Sequence, residues 1–133
     1  MNPFETAGAF SWAELLTSDP EAAADFYRQV FGWTTESMDM STGPYTVVKV
    51  AGESVGGIMK MPPTVPDGTP PHWASYVTVD NVDATIETIK SAGGNIVMPA
   101  FDVPTVGRLA VIQDPQGAHI NIIQYAPQTA DAQ

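Results

Sequence analysis

Residues 17–23 read Thr17-Ser18-Asp19-Pro20-Glu21-Ala22-Ala23, and residues 79–85 read Val79-Asp80-Asn81-Val82-Asp83-Ala84-Thr85. Glu21 and Asp83 stand 62 positions apart, and the same offset carries Arg28 onto Lys90 and Gly32 onto Gly94. An apolar stretch precedes each copy, at residues 10–16 and 73–79. Short β-like runs follow each, including residues 45–51 and 106–113. A repeat of this length whose unit is strand–helix–strand–strand–strand is an uncommon layout, so the spacing narrows the fold more than any single residue does.

Each copy contains a helix with legible ends. Asp19 is the expected N-cap, Pro20 takes the first helical position, and Gly32 closes the helix. Ala23, Phe26, Tyr27, Val30 and Phe31 recur at steps of three and four, which gives an apolar stripe. In the second copy Asn81 is the expected cap, Val82, Ile86 and Ile89 the stripe, and Gly93-Gly94 the stop. Strands are expected at residues 10–17, 33–38, 45–51, 54–61, 73–80, 95–99, 108–113 and 118–125. Ser41-Thr42-Gly43-Pro44, Gly52 and Asp114-Pro115-Gln116-Gly117 supply turns. Residues 62–71 (PPTVPDGTPP) hold five prolines and read as a semi-rigid linker. The first seven residues and residues 127–133 read as frayed ends. The fold class is therefore α+β in one 133-residue domain: module one at about 9–61, the linker at 62–71 and module two at about 72–126. The two curved mixed sheets are expected to enclose a shared cleft.

The chain carries a net charge of −10, with Arg28, Lys49, Lys60, Lys90 and Arg108 as its only cationic residues. Such a surface repels phosphate backbones and anionic lipids, so no nucleic-acid or membrane partner is expected. There is no cysteine, which removes disulfides and thiolate chemistry and fits a cytoplasmic location. No apolar run approaches the roughly 20 residues of a membrane helix, and no basic-then-apolar start suggests a signal peptide.

The segments SDPEAAADFYRQVFGW (18–33), DVPTVGRLAVIQDPQGA (102–118) and VDNVDATIETIKSAGG (79–94) resemble the vicinal-oxygen-chelate superfamily of glyoxalases, bleomycin-resistance proteins and extradiol dioxygenases. The resemblance covers about residues 9–126. It implies four cleft-facing positions that hold a divalent metal in metal-binding members. They fall on Trp12, Ala74, Asn121 and Ile58, none of them a good ligand, so no cofactor is expected, a divalent metal being the alternative.

Strand alternation from those positions gives a lining of Trp12, Glu14, Lys60, His72, Tyr76, His119 and Asn121, the expected ligand-binding set. Glu14, an acid in an apolar strand, reads as a general base or substrate anchor, or, the favoured alternative, as a structural partner of Lys60. A displaced metal site of His72, His119 and Glu14 is the weaker reading of the two histidines. Trp12 and Tyr76 suit stacking on a planar ligand or simple core filling. Met38, Met40, Met59 and Met61 read as packing. Gly56-Gly57 lacks a nucleotide-loop context and reads as a bulge or a close backbone approach. Three functions follow. The first is a metal-independent protein that binds a small hydrophobic or aromatic molecule. The second is a lyase, isomerase or dioxygenase-like enzyme that uses Glu14, a histidine or a metal. The third is a vestigial module that supports dimerisation. By analogy with the family, a homodimer is expected.

Overall fold

The computed structural model describes residues 1–40 and 43–127. Along the chain run β1 (Phe10–Thr17), α1 (Pro20–Phe31), β2 (Thr34–Met40), β3 (Gly43–Val50), β4 (Glu53–Lys60), β5 (His72–Thr78), α2 (Val82–Ser91), β6 (Asn95–Val103), β7 (Gly107–Gln113) and β8 (His119–Tyr125). The order is βαβββ twice, an α+β chain, as the internal repeat predicts. The described residues divide into two compact units, one within residues 12–74 and one of residues 1–11 with 75–127.

In the unit of residues 12–74 the strands lie in the order β2-β3-β4-β1. β1 and β4 are parallel and the other pairs antiparallel, so the sheet is mixed. The first helix forms as its caps predict. Asp19 accepts from the Ala22 N–H, Pro20 sits in the first turn, and Gly32 adopts φ 71° and returns its N–H to the Arg28 carbonyl. Ala24 of α1 is buried against Leu15, Val48 and Ile58, with Ala23, Tyr27 and Trp33 at the margin. Ala51 (φ 53°) and Gly52 (φ 79°) both take left-handed backbone, which suits the tight β3–β4 hairpin. Residues 62–71 contain neither helix nor strand and turn through Val65 N–H to Pro62 O and Thr69 N–H to Pro66 O bonds.

In the other unit the order is β5-β8-β7-β6, with β5 and β8 parallel. Asn81 caps α2 at the Ala84 N–H, and the Gln124 Oε1 accepts from the Val82 N–H at 3.0 Å. Val82 and Ile86 pack on Ala110, Ile112 and Ile122.

Two expectations change. β6 runs past Pro99 to Val103, because an edge strand with two register shifts tolerates a residue that cannot donate. The first seven residues are not frayed. The Thr78 hydroxyl donates to Pro3 O (2.7 Å), the Gly8 N–H to Thr78 O (2.8 Å), and Phe4 meets the Tyr125 ring edge-on at 5.2 Å. The arm thereby satisfies polar groups of β5 that would otherwise need water. In the expected turn at residues 41–44, Ser41 and Thr42 lie outside the described residues, as does the expected tail beyond Pro127.

Candidate functional site

In β1, Leu15 packs beneath α1, so alternation turns Trp12 and Glu14 to the opposite face of the sheet. Glu14 is paired with Gly57 and Leu15 with Ile58 across β1 and β4. Gly57 has no side chain, and the phenol of Tyr45 from β3 lies over it. A Cβ at Gly57 would collide with the Tyr45 hydroxyl and ring. That placement builds a directed chain. The Trp12 Nε1–H donates to Tyr45 Oη at 2.9 Å, and the Tyr45 O–H donates to Glu14 Oε2 at 2.7 Å. Glu14 is only 7% exposed, and a carboxylate so buried needs strong donors. Trp12 and Tyr45 are half-buried, so the donor side of the chain keeps contact with solvent.

Gly56 is tight for a different reason. A Cβ there would stand 2.7 Å from the Ala13 carbonyl oxygen, which is the close backbone approach expected of the glycine pair.

The geometry corrects one face assignment. Ile58, expected on the face of Glu14, is fully buried in the core under α1. The position facing Glu14 is Gly57, one residue earlier. Lys60 shares the alternation of Ile58, pairs with Thr17 across the strands and is exposed. The expected Glu14–Lys60 ion pair does not form among the described residues; Tyr45 partners Glu14 instead. His72 stands at the start of β5, half-buried, with its Nδ1 2.9 Å from Pro70 O.

In the second unit Tyr76 is paired with Asn121, and Val77 with Ile122. Ile122 packs against α2, so Tyr76, His119, Asn121 and Ile123 occupy the other face, as alternation predicts. Tyr76 and Asn121 are buried, whereas His119 is exposed. Tyr125, on the same alternation of β8, shares a 2.7 Å hydrogen bond with the Ser11 hydroxyl. Burial pushes its phenol above the usual tyrosine range, and the Ser11 hydrogen bond partly offsets this. Arg108 bridges Asp83 and Asp102, at 3.0 and 3.1 Å, and the hydrogen bonds it donates to these carboxylates, Asp83 foremost, raise its already high pKa.

The two units place equivalent residues at equivalent points: Gly57 beside Glu14, and Asn121 beside Tyr76. Tyr45 and Gly57 lie beside Glu14, yet the expected lining contains neither. The glycine pair was the available signal, since a close approach implies something lying on it. Among the described residues no three His, Cys, Asp or Glu side chains come together as a metal-binding group. Nor is any helix among them long and apolar enough to cross a membrane.

Two βαβββ copies, each with a mixed sheet shielded by one helix and a polar–aromatic opposite face, define an α+β protein of the duplicated-module class. The model of the Glyoxalase/Bleomycin resistance protein/Dioxygenase superfamily matches residues 9–122. The chain belongs to that superfamily. It is 40% identical over 119 residues to the Mycobacterium tuberculosis protein CFP32, whose name marks it as a candidate glyoxylase. It is 35% identical over 123 residues to the anthracycline biosynthesis protein DnrV of Streptomyces peucetius. The matches cover 88% and 84% of this chain but 46% and 45% of those proteins, so the chain spans about half their length. Among solved structures, methylmalonyl-CoA epimerase from Mycobacterium tuberculosis matches with a TM-score of 0.66 at 18% identity, over 92% of both chains. The hypothetical protein BH1468 of Bacillus halodurans matches with a TM-score of 0.68 at 10% identity, over 93% of this chain and 99% of its own. At such identities these two likenesses concern the fold alone.

Proposed function

We propose that this chain is a small-molecule-binding module of the glyoxalase and bleomycin-resistance type that recognises a hydrophobic or aromatic ligand without a metal. The observation that carries the reading is the Trp12–Tyr45–Glu14 chain. Its Trp12 falls on one of the four positions where the resemblance implies metal ligands. Taken one by one, those positions hold an indole (Trp12), an alkyl side chain turned into the core (Ile58), a methyl group (Ala74) and a neutral amide (Asn121). These donors do not fit a transition metal, which prefers imidazole, thiolate or carboxylate. An indole and a phenol locked together by a hydrogen bond instead offer a rigid aromatic surface, the usual furniture of an organic-ligand site. The anthracycline context of DnrV supports an aromatic ligand.

A second reading is favoured by one observation: a buried carboxylate hydrogen-bonded to a phenol is equipped for proton transfer. In that reading Glu14 is the acid/base of a lyase or isomerase, consistent with the name given to CFP32. The reading also takes the chain to act as a cytoplasmic homodimer without nucleic-acid or membrane partners. The net charge of −10 and the lack of cysteine support it, and exposed Phe26, Val30 and Phe31 on α1 offer an apolar patch to a second copy.

The test is a thermal-shift panel of planar aromatic compounds, run with and without EDTA. A ligand-induced shift that survives EDTA and is lost in Trp12→Ala supports the binding reading. Stoichiometric zinc, nickel, manganese or iron in untagged protein defeats the metal-free part of it. A panel without a single shift defeats the binding part.

A further inference from the structure

We infer that two copies of this chain pair through α1, with the helices antiparallel and Phe26 at the two-fold axis. This rests on the homodimer part of the reading above and assigns its interface. The duplicated module holds an internal comparison. The 62-residue offset that aligns the copies carries Phe26 onto Thr88, Val30 onto Ala92 and Phe31 onto Gly93. In the second copy these positions are thus small or polar, as an outward helix face should be. In the first copy they hold large apolar side chains, 58%, 53% and 59% exposed. The fold does not require them, since the second module is built without them.

The patch is also rigid. The Tyr27 ring lies edge-on to Phe26 (5.1 Å) and stacked on Phe31 (5.9 Å), and the Trp73 Nε1–H donates to the Tyr27 hydroxyl at 3.2 Å. Side chains already held in place lose little freedom on docking. With Trp73, 41% exposed, the patch offers on the order of 400 Å² of apolar surface. A stable interface buries about 800 Å² per partner, somewhat more than half of it apolar, so the patch is close to the core such an interface needs.

Charge selects a second copy and its orientation. Two chains at −10 repel each other except where the facing surfaces are locally neutral. The outer strand β2 carries Glu36 and Asp39, which a second copy would meet with its own. The outer strand β6 is interrupted by Pro99 and two register shifts. On α1 the stripe of Ala22, Phe26 and Val30, spaced by four residues, is uncharged and exposed, and the Asp25–Arg28 ion pair flanks it. An antiparallel arrangement centred on Phe26 sets the small Ala22 against the partner's Val30 and lays Arg28 beside the partner's Asp25. A parallel arrangement sets like charges together and aligns the two helix dipoles.

Sedimentation velocity of the whole chain, between about 1 and 200 µM, tests the pairing. Wild-type protein is expected to sediment as a dimer in the upper part of that range. Phe26→Glu and Val30→Glu, both at exposed sites, are expected to weaken pairing at least about tenfold. Thr88→Glu, at the equivalent position of the second copy, is expected to pair like the wild type. Disulfide trapping reads the orientation, and it is clean in a chain without cysteine. Under an added oxidant, a mixture of Ala22→Cys and Val30→Cys proteins is expected to cross-link into a mixed pair, and neither variant with itself. Self-linking of either variant overturns the antiparallel arrangement. A dimer unaffected by a folded Phe26→Glu, or weakened equally by Thr88→Glu, overturns the α1 interface while the homodimer reading stands. Wild-type protein that stays monomeric throughout overturns both and leaves the patch to a partner other than this chain.

Discussion

Gly57 owes its bare α-carbon to Tyr45: the phenol hydroxyl lies where a Cβ would be. Gly57→Ala is therefore a substitution in Tyr45's space, although it lies in β4. Adding the methyl forces the ring aside, breaks both hydrogen bonds and leaves Glu14 buried without its phenol donor. The expected cost is about 1–3 kcal/mol, typical of overpacking joined to a lost buried hydrogen bond. Urea unfolding of Gly57→Ala, Tyr45→Ala and the double variant checks it. The double variant should be less destabilised than the two single losses added together, because one deletion makes room for the other insertion. Strict additivity would show that the two residues do not share that space.

Tyr125 gives the fold an alkaline limit. Its folded-state pKa is raised above the ordinary value, chiefly by burial. The protonated phenol is thus favoured by folding. Its contribution is complete below the unfolded pKa of about 10 and is lost as pH rises through the higher folded value. Stability measured by urea midpoint should fall from about pH 10 upward, and Tyr125→Phe should flatten that fall. At neutral pH the same variant should cost about 1 kcal/mol for the hydrogen bond shared with Ser11. An alkaline profile identical in both proteins would remove Tyr125 as its source.

The fold was readable because its punctuation is local. Asp19-Pro20 and Asn81 act within three residues of themselves, Gly32 acts where it stands, and the 62-residue offset repeats the message. The face each strand residue takes was readable only where alternation had contrast. Around Leu15 and Ile122 the apolar partner faces a helix and the polar neighbour faces away, so Glu14 and Asn121 fell on the right face. In β4 the stretch Val55-Gly56-Gly57-Ile58 has no polar member and two residues without side chains. Nothing there selects a face, and the β3–β4 pairing shifts at Val48/Lys49, so counting from the other copy slipped by one residue. The role of Tyr45 was invisible for a further reason: its partners, 31 and 33 residues away, meet it only through strand order.

The N-terminal arm shows the same limit and yields a prediction. Asn2-Pro3-Phe4 carries no periodicity, yet Asn2 Oδ1 accepts the Phe4 N–H and aims the phenylalanine at Tyr125. Phe4→Ala should cost about 1 kcal/mol, the usual worth of an edge-on aromatic pair. Deleting residues 1–7 should cost more, since it also strips Pro3 O from the buried Thr78 hydroxyl. Hydrogen exchange adds a local readout. The Thr78 amide, bonded to Ala9 O, should exchange faster in the deletion variant, while amides of α1 stay unchanged. Unaltered protection at Thr78 would mean that the arm contributes nothing to β5.

Thr105 holds a turn in which a β-branched residue type opposes the backbone. It sits at φ 69°, following Pro104, in a turn closed by the Val106 N–H to Val103 O bond of 3.0 Å. That is the geometry of a type II turn, whose third position favours glycine or asparagine. A β-branched residue there costs about 1–2 kcal/mol in steric strain. Thr105→Gly removes the strain but gives the unfolded chain extra freedom worth about 0.5–1 kcal/mol, so the net gain should be at most about 1.5 kcal/mol. Thr105→Ala should gain much less, because its Cβ meets the same carbonyl. Gly107, two residues on, is the control of opposite sign. At φ 150° its Cβ would collide with the Gln124 carbonyl oxygen, so Gly107→Ala should destabilise where Thr105→Gly stabilises. Thermal melts of the three variants decide the matter. A loss of stability in Thr105→Gly would mean that the threonine side chain contributes more to the turn than its backbone strain costs.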